Sequence, residues 1–417
     1  MVNDYKYDPN KFISFERVEE IWATNKKPIV VYLNNPFCQG KNGKNCKFCV
    51  HRGIVGETSE TVKEFYFDYM PKQFKKYENI LNSQDIKLVA FGGGTPNYLS
   101  AKDFDRYLNS LPEKIKKAPK QIELHASFVT KEYIEVLSKY NFKIVTFCIQ
   151  TFDEDILNKW NRLPPKKNTV ELMKYAKELN MGTAVDLITY WNSDESDFDV
   201  LSKDLNKIKE ADPDEVTISV LYQNKKGDLQ YIYRNVRATM LSVFPNYVNP
   251  EQSDTKQFRI APTRYFKPND EFIKLYGIYI SSLTAIEWIT EEQVSTLGIG
   301  CFKNQIHDVY SVIGCFKTIY EVNDGSGEPK YYLAKDYNFW DECIKVINNL
   351  REQIGDDIPA GSQLDLKNII KNKGYFFGNF DQGGIRWGLH SSQEVIDRIK
   401  LQNESTRQDF DILHETD

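Results

Sequence analysis

Between residues 28 and 225, six short apolar segments recur along the chain, separated by amphipathic stretches. Each segment is rich in Val, Ile, Phe or Thr and is bounded by Gly, Pro, Asn or Asp, which is typical of a buried β-strand. The six segments are 29–33, 86–91, 121–126, 142–149, 183–188 and 216–222. Helix-start residues stand between them, at Ser59, Ser100, Thr130 and Asp153. This alternation predicts βα units and a parallel sheet, either open and doubly wound or a partial barrel.

Composition and charge exclude several classes of protein. The 417 residues include 25 Tyr, 25 Phe and 6 Trp, enough to bury a large core, so intrinsic disorder is excluded. The net charge of −5 argues against nucleic-acid binding as the main activity. No run of about 18 apolar residues and no secretory signal is present, so we expect a cytoplasmic protein without a membrane or nucleic-acid partner.

Three cysteines lie close together just after the first predicted strand. Seven residues separate Cys38 from Cys46, and two separate Cys46 from Cys49, in a polar loop. Three soft thiolates on one loop suit either zinc, with His51 as a fourth ligand, or an iron–sulfur cluster that leaves one iron open. Packing thiols are expected in apolar runs instead, as Cys148 is. The seven cysteines of the chain do not form a disulfide framework.

Polar residues also mark the ends of the other predicted strands. A glycine-rich segment, Gly92-Gly93-Gly94-Thr95-Pro96, follows the second strand, and Glu123, Gln150 and Asp186 interrupt later apolar strands. The carboxyl ends of parallel strands meet at one face, where α/β proteins bind their ligands. A charged residue in a buried strand is costly unless it is paired or liganded. These residues therefore predict a ligand site beside the cysteine loop.

Five motifs carry a resemblance to a known family over about residues 28–225. They are Tyr32-Leu33-Asn34-Asn35-Pro36-Phe37-Cys38, Gly92-Gly93-Gly94-Thr95-Pro96, Glu123, Gln150-Thr151-Phe152-Asp153 with Asn161-Arg162, and Asp186-Leu187-Ile188. In this order, at the ends of successive predicted strands, they resemble the oxygen-independent coproporphyrinogen III oxidase-like branch of the radical S-adenosylmethionine (SAM) enzymes.

The resemblance implies a fold and cofactors. It implies a partial (β/α)6 barrel over residues 28–225, after an N-terminal extension over 1–27. A divergent α+β region over 226–417 would bind and cover the substrate. Cys38, Cys46 and Cys49 would hold an oxygen-labile [4Fe–4S] cluster, whose open iron binds the amino and carboxylate groups of SAM. One electron then cleaves SAM to methionine and a 5′-deoxyadenosyl radical.

The resemblance also implies site residues. Phe48 would shield the cluster. The residues implied for one SAM molecule, or for two, are Tyr32, Gly93, Gly94, Thr95, Glu123, Gln150, Arg162 and Asp186. For Arg162 and Glu123 the structural alternative is an ion pair.

The chain departs from the family pattern where the substrate would be recognised. The first cysteine spacing is seven residues and not three, Asn34 replaces a usual histidine, and Tyr190-Trp191-Asn192 replaces a usual Gly-Leu-Pro stretch. We therefore expect a small-molecule substrate that the sequence does not identify, and an electron donor such as flavodoxin or ferredoxin.

As the reaction, we expect carbon transfer from a second SAM in preference to oxidative decarboxylation of a porphyrinogen-like substrate. A non-catalytic alternative is a heme chaperone, with His307 as a candidate heme ligand. Aromatic residues of the C-terminal half are expected to cover the barrel cleft. They are Phe339, Trp340, Tyr375, Phe376, Phe377, Phe380 and Trp387.

Overall fold

The structure is a computed structural model. It describes residues 12–25, 28–49, 54–192, 194–221, 229–249, 263–284, 295–300, 311–313, 317–322 and 330–335. The predictions made for His51, for His307 and for the C-terminal aromatic residues lie outside these ranges.

Strands in the described residues form one large sheet and one short pair. The strands are β1 (Phe12–Ile13), β2 (Ile29–Asn35), β3 (Phe37–Cys38), β4 (Ile54–Val55), β5 (Ile86–Gly93), β6 (Lys120–His125), β7 (Phe142–Gln150), β8 (Gly182–Thr189), β9 (Glu215–Val220), β10 (Thr263–Phe266), β11 (Ser295–Ile299), β12 (Ser311–Ile313), β13 (Lys317–Val322) and β14 (Lys330–Lys335). The large sheet has the order β1-β14-β13-β12-β11-β2-β5-β6-β7-β8-β9-β10, and β3 pairs with β4.

Helices connect most of the central strands. They are α1 (Phe15–Ala23), α2 (Ser59–Glu64), α3 (Met70–Lys76), α4 (Glu78–Ser83), α5 (Ala101–Ser110), α6 (Glu113–Lys117), α7 (Lys131–Lys139), α8 (Glu154–Lys159), α9 (Thr169–Glu178), α10 (Ser196–Lys209), α11 (Leu229–Val243) and α12 (Asp270–Thr284). A π-helical turn, Phe65–Tyr69, joins α2 to α3, and a 3₁₀ turn, Pro96–Tyr98, follows β5. None of the described helices is long and apolar enough to span a membrane.

Local capping chemistry explains where several helices begin. Ser100, Thr130 and Asp153 each accept a backbone N–H from the residue three positions later, as N-cap side chains do. At α2 the cap is Thr58 and not Ser59, because Thr58 accepts the N–H of Thr61. Three of the four predicted helix starts are confirmed, and the fourth is displaced by one residue.

All six predicted strands are present, as β2 and β5 to β9, and they are parallel to one another. Their spatial order follows their chain order, without the reversal that divides a doubly wound sheet into two halves. The fold is therefore a partial (β/α)6 barrel, as the family resemblance implied. Within the described ranges the sheet does not close, since β10 and β1 are its two edges.

The two faces of the sheet differ in what covers them. On the outer face, residues such as Val89, Phe147 and Leu187 pack into one large core with the surrounding helices. On the inner face, Val30, Leu88, Ala90, Ile144 and Ala184 pack against α12. One helix contacts residues of β2, β5, β7 and β8 because the sheet is curved around it.

Residues after 225 complete the sheet and its inner face. Strand β11 pairs in parallel with β2, and β10 pairs antiparallel with β9. Strands β12, β13 and β14 continue from β11 as antiparallel neighbours. The described part of this C-terminal region contains both helices and strands, as expected for an α+β region. The proposed division at residue 225 stays a prediction, since one sheet contains strands from both sides of it.

Candidate active site

The accessible residues of the central strands cluster toward one end of the inner face. Each of these strands is otherwise buried beyond its first two residues, so an accessible side chain marks an opening in the core. The accessible positions of β2 and β5 to β8 are Asn34, Gly93, Glu123, Cys148, Gln150 and Asp186. We call the space that these six residues line the inner chamber. Four of them are residues that the family resemblance implied for SAM binding.

The glycine-rich loop after β5 is hydrogen-bonded to the start of the cysteine loop. The Gly94 N–H donates to the Asn35 carbonyl at 2.7 Å, and the Thr95 N–H donates to the Phe37 carbonyl at 2.7 Å. The Thr95 hydroxyl accepts the Gln39 N–H at 3.2 Å. These bonds place the first cysteine of the loop directly beside the chamber.

Two glycines of this loop are required by close approach. Gly93 has φ +98, and a Cβ there would lie 2.2 Å from the Asn34 Oδ1 atom. A Cβ on Gly94 would lie 2.2 Å from the Phe37 carbonyl oxygen and 2.9 Å from Cys38 Sγ. Only glycine tolerates such contacts, so the backbone of this loop packs directly against the first thiol.

The residues that lengthen the cysteine loop form a tight hairpin. Asn42 and Gly43 have φ values of 52° and 65°, and Lys41 pairs with Lys44 across them. Positive φ at both central residues defines a type I′ turn, which Asn-Gly favours. The seven-residue spacing therefore adds an ordered turn to the cysteine loop.

The segment after α8 holds this hairpin in place. Asn161, itself at φ 58°, donates its side-chain N–H groups to three loop carbonyls. These acceptors are Lys41 at 3.2 Å, Lys44 at 2.9 Å and Asn45 at 3.1 Å. The Lys47 N–H also donates to the Trp160 carbonyl at 3.0 Å. The cysteine loop is thus held by hydrogen bonds to the residues that follow helix α8.

Arg162 lies between β7 and the cysteine loop. It is 7 % exposed, its Nη2 donates to the Cys148 carbonyl at 2.6 Å, and its Nη1 lies 3.8 Å from Cys46 Sγ. The guanidinium carbon lies 5.8 Å from the centre of the Phe48 ring. In the described part of the chain no carboxylate lies within ion-pair distance of Arg162. Its positive charge therefore faces a cysteine thiol and not an acid.

Glu123 accepts a hydrogen bond from helix α12, which the sequence analysis did not predict. The Tyr279 hydroxyl of α12 donates to the Glu123 carboxylate. Tyr32 lies nearby and is buried, with its hydroxyl packed against Gly92. Burial, and then the charge of Glu123, raises the pKa of Tyr32 above its usual range. The wall of the chamber beside Glu123 thus consists of neutral tyrosines.

Cys148 differs from its expected packing role. Its side chain lies on the inner face, and Sγ donates to Asp186 Oδ2 at 3.3 Å. Burial, followed by the charges of Asp186 and Glu123, raises the pKa of the Cys148 thiol well above its usual range. The two strands pair at these residues, which brings the thiol and the carboxylate together. The apolar sequence around Cys148 showed burial but not which face of the sheet it occupies.

Two buried aspartates of α10 hold the loops after β7 and β8. Asp204 accepts the Phe152 N–H at 2.9 Å, and Asp197 accepts the N–H of Asn192 at 2.9 Å. Sequence reasoning missed both. Asp204 lies beside Leu205 on the buried face of the helix, and an acid at such a position is a signal that could have found it.

The three loop cysteines fit an iron–sulfur cluster by their chemistry and surroundings. Each is partly buried, and the Cys49 N–H donates to the Cys46 carbonyl at 3.2 Å, so two share one turn. Phe48 between them packs on Trp191, with ring centres 5.5 Å apart. Within the described ranges, no three Cys, His, Asp or Glu side chains are close enough to hold a single metal ion. A four-iron cluster is larger than one ion, so its thiolate ligands stand farther apart.

Comparisons with known proteins match the part of the chain that contains these residues. Residues 36–205 match the family model described as the radical SAM superfamily. The chain is 25% identical over 218 residues to the oxygen-independent coproporphyrinogen III oxidase of Synechocystis sp., covering 51% of this chain and 45% of that protein. It is 26% identical over 164 residues to the heme chaperone HemW of Buchnera aphidicola, covering 39% and 42%. The matches thus span less than half the length of these relatives.

One solved structure shares the fold over almost the whole chain. It is the coproporphyrinogen III oxidase (HemN) of Escherichia coli, which is described as a radical SAM enzyme, with a TM-score of 0.60 and 16% identity over 96% of both chains. At that identity the likeness shows the fold alone. The cofactors of this kind of domain are a [4Fe–4S] cluster and SAM, as the family resemblance implied. Residues 36–205 therefore match a radical SAM domain, in a chain that resembles the oxygen-independent coproporphyrinogen III oxidase-like branch of that superfamily.

Proposed function

We propose that this protein is a radical SAM enzyme that modifies a small molecule bound in the inner chamber, with one electron supplied by a flavodoxin or ferredoxin. One observation carries the proposal. The accessible polar residues of five adjacent strands converge on the chamber, and the glycine-rich loop hydrogen-bonds the cysteine loop to its edge. Chemistry that depends on a cluster and a ligand bound side by side needs this arrangement.

The cofactors would be held by residues already described. Cys38, Cys46 and Cys49 would bind the cluster, and the backbone of Gly94 packs against the first thiol. Arg162 Nη1 lies 3.8 Å from the sulfur of Cys46, so its positive charge would face the bound cluster. The bound cluster and SAM together supply a carbon-centred radical by one-electron cleavage of SAM.

Binding of SAM itself would use the strand ends. Asp186 and Gln150 are accessible acceptors at the mouth of the chamber and suit ribose hydroxyls, while Gly93 lets the backbone approach a ligand closely. Glu123 accepts the hydroxyl of Tyr279, which orients its carboxylate, and we infer that this carboxylate also contacts SAM.

The rest of the inner face excludes water from the chamber. Phe272, Tyr276 and Tyr279 of α12 are buried against the apolar residues of β2, β5, β7 and β8. Their packing closes the end of the barrel opposite the cysteine loop. A closed, dry site protects a reactive radical from side reactions with solvent.

Oxidative decarboxylation of a porphyrinogen-like compound is the substrate chemistry that the relatives favour. Several carry the name oxygen-independent coproporphyrinogen III oxidase, and others carry the name heme chaperone. Carbon transfer from a second SAM, which the sequence analysis preferred, stays a prediction. The departures at Asn34 and Tyr190-Trp191-Asn192 lie at strand ends beside the chamber, where they would alter substrate recognition.

Anaerobic reconstitution tests the proposed function. With SAM and dithionite, the reconstituted protein should yield 5′-deoxyadenosine and methionine, and alanine at Cys38, Cys46 or Cys49 should abolish both the cluster absorbance and the products. Lys139→Ala on the exposed end of α7 is the matched surface control. Stoichiometric zinc with no SAM cleavage after reconstitution would overturn the proposal.

Substrate assays then separate the candidate reactions. Coproporphyrinogen III incubated with the active protein should lose carboxyl groups as carbon dioxide if the protein is a decarboxylase. A methyl group from isotopically labelled SAM should appear in the product if it transfers carbon. Stoichiometric heme binding without turnover of either kind would favour a chaperone.

A further inference from the structure

A thiol that is not on the cysteine loop lies inside the inner chamber. Strands β6, β7 and β8 carry the polar residues of the chamber, and Cys148 lies on the middle one, β7. Asp186 of β8 lies opposite it. On the other side, β6 contributes Glu123, whose register partner Thr146 lies two residues before Cys148. Cys148 is accessible to the chamber, although most of its strand is buried.

Two buried polar side chains lie on the same face of the sheet, Thr146 two residues before Cys148 and Gln121 on β6 opposite Ile144. Thr146 is 1 % exposed and Gln121 is fully buried, and neither the Thr146 hydroxyl nor the Gln121 amide has a hydrogen-bond partner among the described residues. Alternation along β7 puts Thr146 on the face that carries Cys148. Each buried polar group without a partner costs about 1–3 kcal/mol, so such groups indicate that a polar ligand completes the chamber.

We propose that Cys148 is a catalytic hydrogen-atom donor in the chamber, which passes its thiol hydrogen to a carbon-centred radical formed there. This inference rests on the proposed function. The S–H bond breaks and a C–H bond forms, which leaves a thiyl radical on Cys148. One electron from the flavodoxin or ferredoxin and one proton from water then restore the thiol.

The groups around Cys148 favour the protonated thiol, which is the form that can donate a hydrogen atom. A hydrogen-atom donor must be protonated, and burial together with the charges of Asp186 and Glu123 raises the pKa of Cys148. Asp186 accepts the thiol hydrogen at 3.3 Å, which fixes the position of Sγ. The loop cysteines are committed to the cluster in the proposed function, so Cys148 is the described thiol that stays available.

Serine is the matched substitution at this position. It has nearly the same size and still donates a hydrogen bond to Asp186, but its O–H bond is too strong for a carbon radical to break. Tyr276→Phe is the second control, because it removes an exchangeable hydroxyl from the inner face of the barrel and keeps the ring packed there.

The experiment needs no knowledge of the substrate. In deuterated water, exchangeable S–H groups become S–D, so wild-type protein cleaving SAM with dithionite and no substrate should give 5′-deoxyadenosine that carries deuterium, read by mass spectrometry. Cys148→Ser should lose the label, and Tyr276→Phe should keep it. An infrared difference spectrum of wild type minus Cys148→Ser should show an S–H band at neutral pH, which requires no turnover.

Unlabelled 5′-deoxyadenosine from the wild-type protein would overturn the role of Cys148 and leave the proposed function intact. Equal label in wild type and Cys148→Ser, or no S–H band at neutral pH, would do the same. Absence of 5′-deoxyadenosine from the reconstituted wild-type protein would instead overturn the proposed function itself.

Discussion

At the scale of single residues, Asn161 meets two requirements at once. Its backbone is left-handed at φ 58°, and its side chain binds three carbonyls of the cysteine loop. Asparagine tolerates this backbone region better than residues with ordinary side chains. The family resemblance had placed Asn161 only as the neighbour of Arg162, whereas the structure shows that it anchors the loop.

Asn161→Gly should loosen the cysteine loop without straining the backbone, and Asn161→Ala should add strain of about 1 kcal/mol. We expect both variants to lose iron faster than wild type in the presence of a chelator, with Ala the less stable in thermal unfolding. Asn180→Gly, at another left-handed position, is the control. Iron loss at the wild-type rate in both variants would show that the hydrogen bonds do not hold the loop.

Asp204 is a buried acid whose charge costs stability. Burial raises the pKa of Asp204 from 3.8 to about 6, although its bonds with Thr151 and Phe152 act in the opposite direction. Between these pH values the folded protein binds more protons than the unfolded chain, so this group's contribution to stability falls as pH rises from about 4 to about 6. Two pKa units correspond to roughly 3 kcal/mol as an upper value.

Asp204→Asn should therefore raise the free energy of unfolding at neutral pH by about 1–3 kcal/mol. The amide oxygen still accepts the Phe152 N–H, while the charge is removed. Urea unfolding at pH 4, 5, 6 and 7 measures the effect, and the difference between variant and wild type should grow with pH. A difference that is constant across this range would contradict the assigned cause.

At the scale of elements, α12 combines two roles. Its buried aromatic residues cover the inner face of the sheet, and Tyr279 reaches Glu123 at the chamber. The helix therefore couples packing of the barrel interior to the position of a candidate SAM ligand. A surface helix would leave Glu123 without this fixed partner.

Tyr279→Phe keeps the ring packed and removes only the hydroxyl. We expect a loss of about 1 kcal/mol in stability and weaker SAM binding, because Glu123 is no longer held in one orientation. Equilibrium binding of SAM to the reconstituted protein measures the second effect, with Tyr276→Phe on the same helix as the comparison. Unchanged SAM affinity in Tyr279→Phe would separate Glu123 from SAM binding.

At the scale of the whole molecule, the barrel depends on residues far beyond its last parallel βα unit. Strand β11 covers the edge of β2 through five paired residues, and Gly300 after it packs so closely on Asn34 that a Cβ would lie 2.2 Å from the Asn34 carbonyl oxygen. Helix α12 covers the apolar inner face. The radical SAM domain is thus supported on one edge and on its inner face by the C-terminal region.

A protein ending at residue 225 should accordingly expose the β2 edge and an apolar inner face. Exposed apolar patches of this kind lead to association. We expect the truncated chain to elute as aggregates in size-exclusion chromatography and to lack the cooperative thermal transition of the full chain. A chain ending at residue 335, which keeps α12 and β11, is the comparison. A monomeric, cooperative 225-residue protein would show that the C-terminal region does not support the fold.

The amino-acid sequence by itself determined the six parallel strands, most helix starts, the cysteine loop and the residues at the strand ends. These follow from local patterns, because burial of a strand selects apolar residues within a few positions, and a cap or tight turn selects Ser, Thr, Asp, Asn or Gly at one position. Only the tertiary structure decided that Tyr279 meets Glu123, that Asn161 holds the cysteine loop, and that Cys148 faces the chamber. Tyr279 and Glu123 are 156 residues apart in the chain, and no local pattern records which distant element will pack on the inner face of a sheet. Strand register likewise decides which face of the sheet the Cys148 side chain occupies, and the register is known only when the strands are paired.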